Sequence, residues 1–332
     1  MAETNRQILL ASRPDGAASL ENFRLVEQPL PPLAEGQVRV RNQMMSLDPY
    51  MRGRMNDSKS YTAPQPLNEV MGGGTVGVVS ESRNPAWAEG DSVLGAFGWQ
   101  EYGTSDGKGL QKLDTSRVPI SAYLGPVGMP GVTAWYGLTH ICAPKPGETV
   151  VVSAASGAVG SVVGQLAKRM GCRVVGIAGG AEKCGYVTGT LGFDACVDYK
   201  AGQLAQELDA AAPSGIDAYF DNVGGTVLDA VLARMNPHGR IAVCGAISGY
   251  DGAAIPLQEP RLILTARLTI RGFIVSEHME LWPEALATLG GLVADGSLKF
   301  RESVAEGLEN APAAFLGMLK GKNFGKQLVR LS

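Results

Sequence analysis

Ala155-Ser156-Gly157-Ala158-Val159-Gly160-Ser161-Val162-Val163 follows the apolar run Thr149 to Ser153 and opens a helical pattern. A strand that feeds a glycine turn and then a helix is a phosphate-binding arrangement. Gly157 lets the backbone approach a pyrophosphate, and Gly160 lets the helix pack close to the strand. The free N–H groups of the helix N-terminus then present partial positive charge to the anion. The first glycine of the usual G-x-G-x-x-G spacing is Ala155 here. The turn is expected to bind a dinucleotide through Ser156, Gly157, Ala158, Val159 and Gly160; a tight strand-to-helix connection with no ligand is the structural alternative.

Downstream, strand and helix patterns alternate: Arg173 to Ile177, a helix over Ala181 to Leu191, Ala195 to Asp198, a helix from Ala201, Ile216 to Asn222, a helix over Gly225 to Met235, and Arg240 to Cys244. That rhythm predicts an α/β fold, a Rossmann doubly wound parallel sheet with helices on both faces. No apolar run approaches the ~20 residues that a bilayer requires, so no membrane span is expected. The formal net charge of −3 leaves no basic footprint for nucleic acid. Five cysteines, odd in number and never spaced C-x-x-C, suit free thiols in a reducing compartment, and no signal-peptide core precedes them, so a soluble cytoplasmic protein is expected.

A chain of 332 residues suggests about two domains. Residues 1–122 carry strand patterns at Gln7 to Ala11, Gln37 to Met45, Gly74 to Ser80 and Ser92 to Ala96, with many Pro and Gly turns. The Rossmann segment is expected over 123–298. The tail, with a helix at Pro312 to Lys320 and a strand at Lys326 to Leu331, is expected to return to the first domain, making 1–122 plus 299–332 one β-rich unit.

Seven stretches together resemble the zinc-independent medium-chain dehydrogenases/reductases. They are Asp48-Pro49-Tyr50-Met51-Arg52, Val70 to Gly74, Gly128 to Ala134, the Ala155 turn, Phe220-Asp221-Asn222-Val223-Gly224-Gly225, Cys244 to Tyr250, and Ala313 to Gly321. Within that family the set is most similar to the prostaglandin reductase, or leukotriene hydroxydehydrogenase, branch with its curcumin reductase and plant double-bond reductase relatives. The resemblance implies a GroES-like domain beside the Rossmann domain, NADPH, reduction of the C=C bond of enones and enals, and a homodimer. The dimer would be joined through the late apolar strand Leu268 to Val275, since a sheet edge offers unpaired backbone groups.

No metal is expected. A catalytic zinc needs converging Cys, His and carboxylate ligands with an open position. The three histidines are His140, His238 and His278, and Met71-Gly72-Gly73 stands where zinc-using relatives carry Gly-His-Glu. Without that electrophile, carbonyl-to-alcohol reduction loses its usual Lewis acid.

The second strand ends in Val174-Val175-Gly176-Ile177-Ala178-Gly179-Gly180, with no acidic residue to accept ribose hydroxyls and repel a 2′-phosphate. Lys183 and Tyr199 follow, and the family match assigns both to that phosphate, which favours NADPH. Family members often carry serine at Gly180. Glu182 is the nearest contrary charge, one residue round the helix from Lys183. Asn222 ends the fourth strand at the cofactor crevice, and the resemblance makes it a cofactor contact. Cys244, Gly245, Ala246, Ile247, Ser248 and Tyr250 end the fifth strand in the same way, with a loop suited to the nicotinamide ribose and carboxamide. Phe273, Ile274 and Val275, and Asn323, match further family contacts.

The expected reaction is a Michael-type addition to a small-molecule enone or enal: hydride to the β-carbon, negative charge on the carbonyl oxygen, a proton to the α-carbon. Tyr250 is the first candidate donor to the enolate oxygen and Tyr50 the second, with packing roles as the alternatives. Arg52 has two readings, a structural pair with Asp48 or an acidic substrate end, the first preferred. Met51 and Met129 are expected on the substrate pocket. A zinc-free NADPH quinone reductase is the alternative activity, and a non-catalytic NADPH-binding protein the alternative class.

Overall fold

A computed structural model describes residues 4–252 and 254–331. Positions 1–3 and 332 of the predicted β-rich unit, and residue 253 in the loop after the fifth Rossmann strand, lie outside the described residues. The chain forms two compact units: one runs to Leu124 and takes in Glu302–Asn323 and the stretch from Gln327, the other comprises Gly125–Arg301 and Phe324–Lys326.

The second unit is built on β1 (Thr149–Ser153), β2 (Arg173–Ala178), β3 (Ala195–Asp198), β4 (Ile216–Asp221), β5 (Met235–Val243) and β6 (Thr269–Gly272). All neighbours pair in parallel, in the order β3-β2-β1-β4-β5-β6. Between them run α1 (Gly160–Arg169), α2 (Ala181–Gly189), α3 (Leu204–Ala211) and α4 (Gly225–Leu232). Alternate side chains feed two cores. Val150, Val152, Val174, Phe220 and Ala242 join Val162, Val163 and Leu166 of α1; Val151, Val175, Tyr219 and Ile241 join Leu208 of α3 and Val227 and Val231 of α4. A strand buried on both faces reads as an unbroken apolar run, which is why these strands are legible without alternation.

Several predicted boundaries shift. The helix expected from Ala201 begins at Leu204, because the Asp198 carboxylate caps a short turn at Tyr199–Ala201 and Gly202 takes φ 82°. β5 starts at Met235, with a register shift against β4, and the apolar stretch from Leu268 yields only the short edge strand β6. A further helix, Trp282–Ala294, packs Ala285 and Leu289 into the first of the two cores.

The first unit pairs Thr4–Leu10 with Phe23–Pro29 and holds a seven-stranded sheet whose longest member is Val38–Ser46. Its core centres on Trp99, fully buried, with the Phe315 ring edge-on at 5.5 Å and Phe23 stacked at 5.5 Å. Phe315 lies on the helix Ala311–Leu319, so the C-terminal segment completes this core. Among the described residues no helix is long and apolar enough to cross a membrane.

Candidate active site

The sheet order reverses between β1 and β4, so the crevice beyond their carboxyl ends is where an α/β sheet takes a ligand. At the end of β1 the Gly157 N–H donates to the Ala154 carbonyl at 2.8 Å, and the Val162 and Val163 N–H groups both donate to Val159 at 3.0 Å. A Cβ on Gly160 would lie 2.4 Å from the Ala154 carbonyl oxygen, so only glycine lets α1 start this close to the strand. Ala155 replaces a glycine without penalty because Gly176 on β2 is bare: a Cβ there would meet the Ala155 methyl at 2.8 Å. Gly157, Ala158 and Val159 remain half-exposed while Ser156 is buried, so the turn offers its backbone outward.

At the end of β2, Gly180 takes φ 95° and its N–H donates to the Asp198 carboxylate at 2.8 Å. That carboxylate also accepts the Lys200 N–H at 3.0 Å, and these two backbone donors hold it below the ordinary carboxyl range. The carboxylate nearest the end of β2 thus comes from β3 and is taken up by backbone donors. Lys183 is half-buried on α2, and burial, followed by repulsion from Lys200, lowers its ammonium against a weaker opposing pull from Glu182. Tyr199 is 45 % exposed, and its ring lies over Gly179, where a Cβ would approach it to 2.8 Å. Phe324 carries Arg301 at 3.8 Å over its ring and Lys183 at 6.0 Å, and Arg301 reaches Glu182 at 4.0 Å. Three cations thus gather here. Arg301 has no local motif, which is why sequence reading passed over it.

The end of β4 is organised by Asp221, which sequence reading quoted but assigned no role. Its fully buried Oδ1 accepts the Val223 and Gly224 N–H groups at 2.9 Å each, the Tyr219 hydroxyl at 2.7 Å and the Ser153 hydroxyl at 3.2 Å. Ser153 in turn receives the Asn222 backbone N–H at 2.8 Å, and the Asn222 amide donates to the Ser153 carbonyl at 2.8 Å. Asn222 is thereby locked at the switch between β1 and β4. After β5, the Cys244 N–H donates to Asp221 at 2.8 Å and the Ser248 hydroxyl to Val223 at 2.7 Å, which ties the 244–250 loop to the β4 turn. Ala246 and Ile247 sit between these two tethers. Tyr250 folds back so that its hydroxyl lies 3.3 Å from where a Gly245 Cβ would be. The Ser153, Asn222, Gly245 and Tyr250 positions are therefore brought together, as are Tyr199 with Gly179 and Lys183 with Phe324.

The stretch after β6 packs against its own unit. Phe273 packs on Tyr136 at 5.4 Å and on Phe220 at 6.2 Å, and Val275 is 7 % exposed with its carbonyl accepting the Trp282 indole at 3.1 Å; Ile274 between them is half-buried. Two histidines bracket Tyr136: His140 stacks at 5.0 Å, and His278 stacks at 4.3 Å with Nε2 2.8 Å from the Tyr136 hydroxyl. No group of three or more His, Cys, Asp or Glu converges among the described residues.

Asn323 and Tyr50 belong to the first unit. Tyr50 opens the short helix Tyr50–Arg54, with the Arg54 guanidinium 4.6 Å over its ring. Burial, reinforced by the Asp48 carboxylate and opposed by Arg54, raises its phenol well above the ordinary value, so it keeps its proton. Arg52 is 1 % exposed, donates to Asn56 at 2.8 Å and to the Gly16 carbonyl, and is a structural residue. Met51, expected on the pocket, is 1 % exposed inside the first unit's core.

Residues 6–113 match the family described as the N-terminal domain of oxidoreductase, and residues 158–290 match the zinc-binding dehydrogenase family. The chain is 48 % identical to the NADPH-dependent curcumin reductase of Escherichia coli (strain K12), over 99 % of this chain and 98 % of that one. Prostaglandin reductase 1 of Rattus norvegicus is 44 % identical over 95 % of this chain and 96 % of its own. The crystal structure of CurA from Vibrio vulnificus in complex with NADPH superposes with a TM-score of 0.94 at 47 % identity, covering 98 % of this chain and 99 % of that one.

Proposed function

The chain belongs to the zinc-independent medium-chain dehydrogenases/reductases, in the branch of the curcumin and prostaglandin reductases, and from that premise we propose that it is an NADPH-dependent oxidoreductase that reduces the C=C bond of α,β-unsaturated ketones or aldehydes. The end-to-end likeness to a reductase named for curcumin, itself an α,β-unsaturated diketone, carries this reading. The glycine cradle at Gly157 and Gly160 and the cations around Phe324 fit a dinucleotide with a 2′-phosphate.

Ser156 to Gly160 hold the pyrophosphate; Lys183 and Tyr199 hold the 2′-phosphate; Asn222, Cys244 to Ser248, Tyr250, Phe273 to Val275 and Asn323 hold the nicotinamide half. Bound NADPH supplies hydride to the substrate β-carbon. The chain's own part is to place a protonated phenol at the carbonyl oxygen, where charge develops. Tyr250 is that donor, with Tyr50 as the second phenol. An enolate is far less basic than an alkoxide, so a neutral phenol suffices. The exposed edge strand β6 joins two copies into a homodimer.

Deuteride from labelled NADPH, followed into product from a simple enone, is the test. Label at the β-carbon of a saturated ketone is expected; label on the carbinol carbon of an allylic alcohol would overturn the reading.

A further inference from the structure

Cys184 on α2 and Cys196 on β3 stand with their sulfurs 3.0 Å apart. The pair is half-buried, whereas Cys142 and Cys172 are 0 % and 3 % exposed. Both sulfurs sit on the elements that carry the 2′-phosphate residues: Cys184 is next in chain to Lys183, and Cys196 lies on the strand that runs directly into Tyr199. The Gly180 N–H, donated to Asp198 at 2.8 Å, already ties the start of α2 to the end of β3.

We propose that Cys184 and Cys196 form a reversible, peroxide-driven disulfide that weakens NADPH binding through the Lys183 and Tyr199 elements. The second half of this statement rests on the cofactor reading above; the first does not. Closing the bond takes the sulfurs from 3.0 Å to ~2.05 Å, a movement of about 1 Å between α2 and β3. Because Lys183 is one residue from the moving sulfur, its ammonium is displaced with the helix turn.

Burial raises both thiols, but the S–H that Cys196 donates to Cys184 pushes Cys196 further up while pulling Cys184 back down. Cys184 is therefore the more acidic of the two thiols, and the minor thiolate fraction that burial leaves it is the attacking sulfur. Its thiolate attacks one oxygen of hydrogen peroxide, the O–O bond breaks, and hydroxide leaves as water, giving the sulfenic acid. Cys196 then attacks the Cys184 sulfur and displaces the hydroxyl as a second water. The two thiols lose two electrons and two protons in all, and the peroxide takes them. A dithiol reductant reverses the step by exchange.

The full chain is treated with hydrogen peroxide, digested without reduction and examined by mass spectrometry; its steady-state KM for NADPH and for NADH is then measured before oxidation, after oxidation and after dithiothreitol. A linked Cys184 and Cys196 peptide is expected. The KM for NADPH should rise roughly threefold to tenfold, part of the value of one charge-assisted hydrogen bond, with the KM for NADH unchanged and full recovery on reduction. Cys184→Ser and Cys196→Ser should each abolish the shift while leaving reduced-enzyme kinetics intact. Absence of the linked peptide, or its formation with no selective change in NADPH KM, would overturn the proposal. Equal KM values for the two cofactors in the reduced enzyme would instead defeat the cofactor reading, while the peptide would still report on the dithiol.

Discussion

Lys183 and Tyr250 are the two residues on which the proposed chemistry turns, and each has a separable signature. Only NADPH carries the 2′-phosphate, so Lys183→Ala should weaken NADPH by ~1.5–3 kcal/mol, the value of a charge-assisted hydrogen bond, and leave NADH unaffected. Fluorescence titration with both cofactors checks this, and a parallel loss for NADH would count against it. Tyr250→Phe keeps the ring and removes the hydroxyl. Turnover should fall roughly tenfold to a thousandfold with NADPH affinity nearly unchanged, less if Tyr50 substitutes. An unchanged rate would transfer the donor role away from Tyr250.

At the scale of elements, the junction of β1 and α1 depends on a missing side chain. Gly160→Ala places a methyl 2.4 Å from the Ala154 carbonyl oxygen, and because that neighbour is backbone the turn itself must move. A stability loss of about 1–3 kcal/mol is expected in urea unfolding, together with loss of NADPH binding. A fully stable, fully binding variant would show that the turn is not the close approach described. The other end of β1 is held by charge. Glu148, just before β1, meets Arg240 of β5; burial alone would raise its carboxyl, but Arg240 and the Lys145 N–H hold it below the ordinary 4.5. A lowered folded value means that this stabilisation is complete above the ordinary carboxyl range and is lost as pH falls through the lowered one. Glu148→Gln should therefore lower stability at neutral pH and flatten the acid limb of a stability-against-pH curve; an unchanged slope would refute the role of the pair.

For the whole molecule, β6 leaves one edge of the parallel sheet without a strand partner among the described residues, and its residues are mostly exposed. Sedimentation at micromolar concentration should give a species of twice 34.8 kDa; a lone chain of 34.8 kDa would count against edge-to-edge pairing. The Rossmann architecture was legible in the chain because its signals are local. Strands buried on both faces appear as runs such as Thr149 to Ser153, and the order of turn and helix follows directly from glycine at positions 157 and 160. The crevice residues at strand ends were legible for the same reason, since a parallel sheet puts every strand's carboxyl end on one side. Three features had no local signal. Arg301 joins Lys183 only because the chain returns through Phe324; Asp221 became a hub only because Tyr219, Ser153 and two backbone N–H groups converge on its buried oxygen; and Cys184 meets Cys196 only because α2 packs on β3. Periodicity and turn chemistry act between neighbours in sequence, and so the sequence by itself determined the elements and their order. Which side chains finally touch depends on how distant elements pack, and only the tertiary structure decided that.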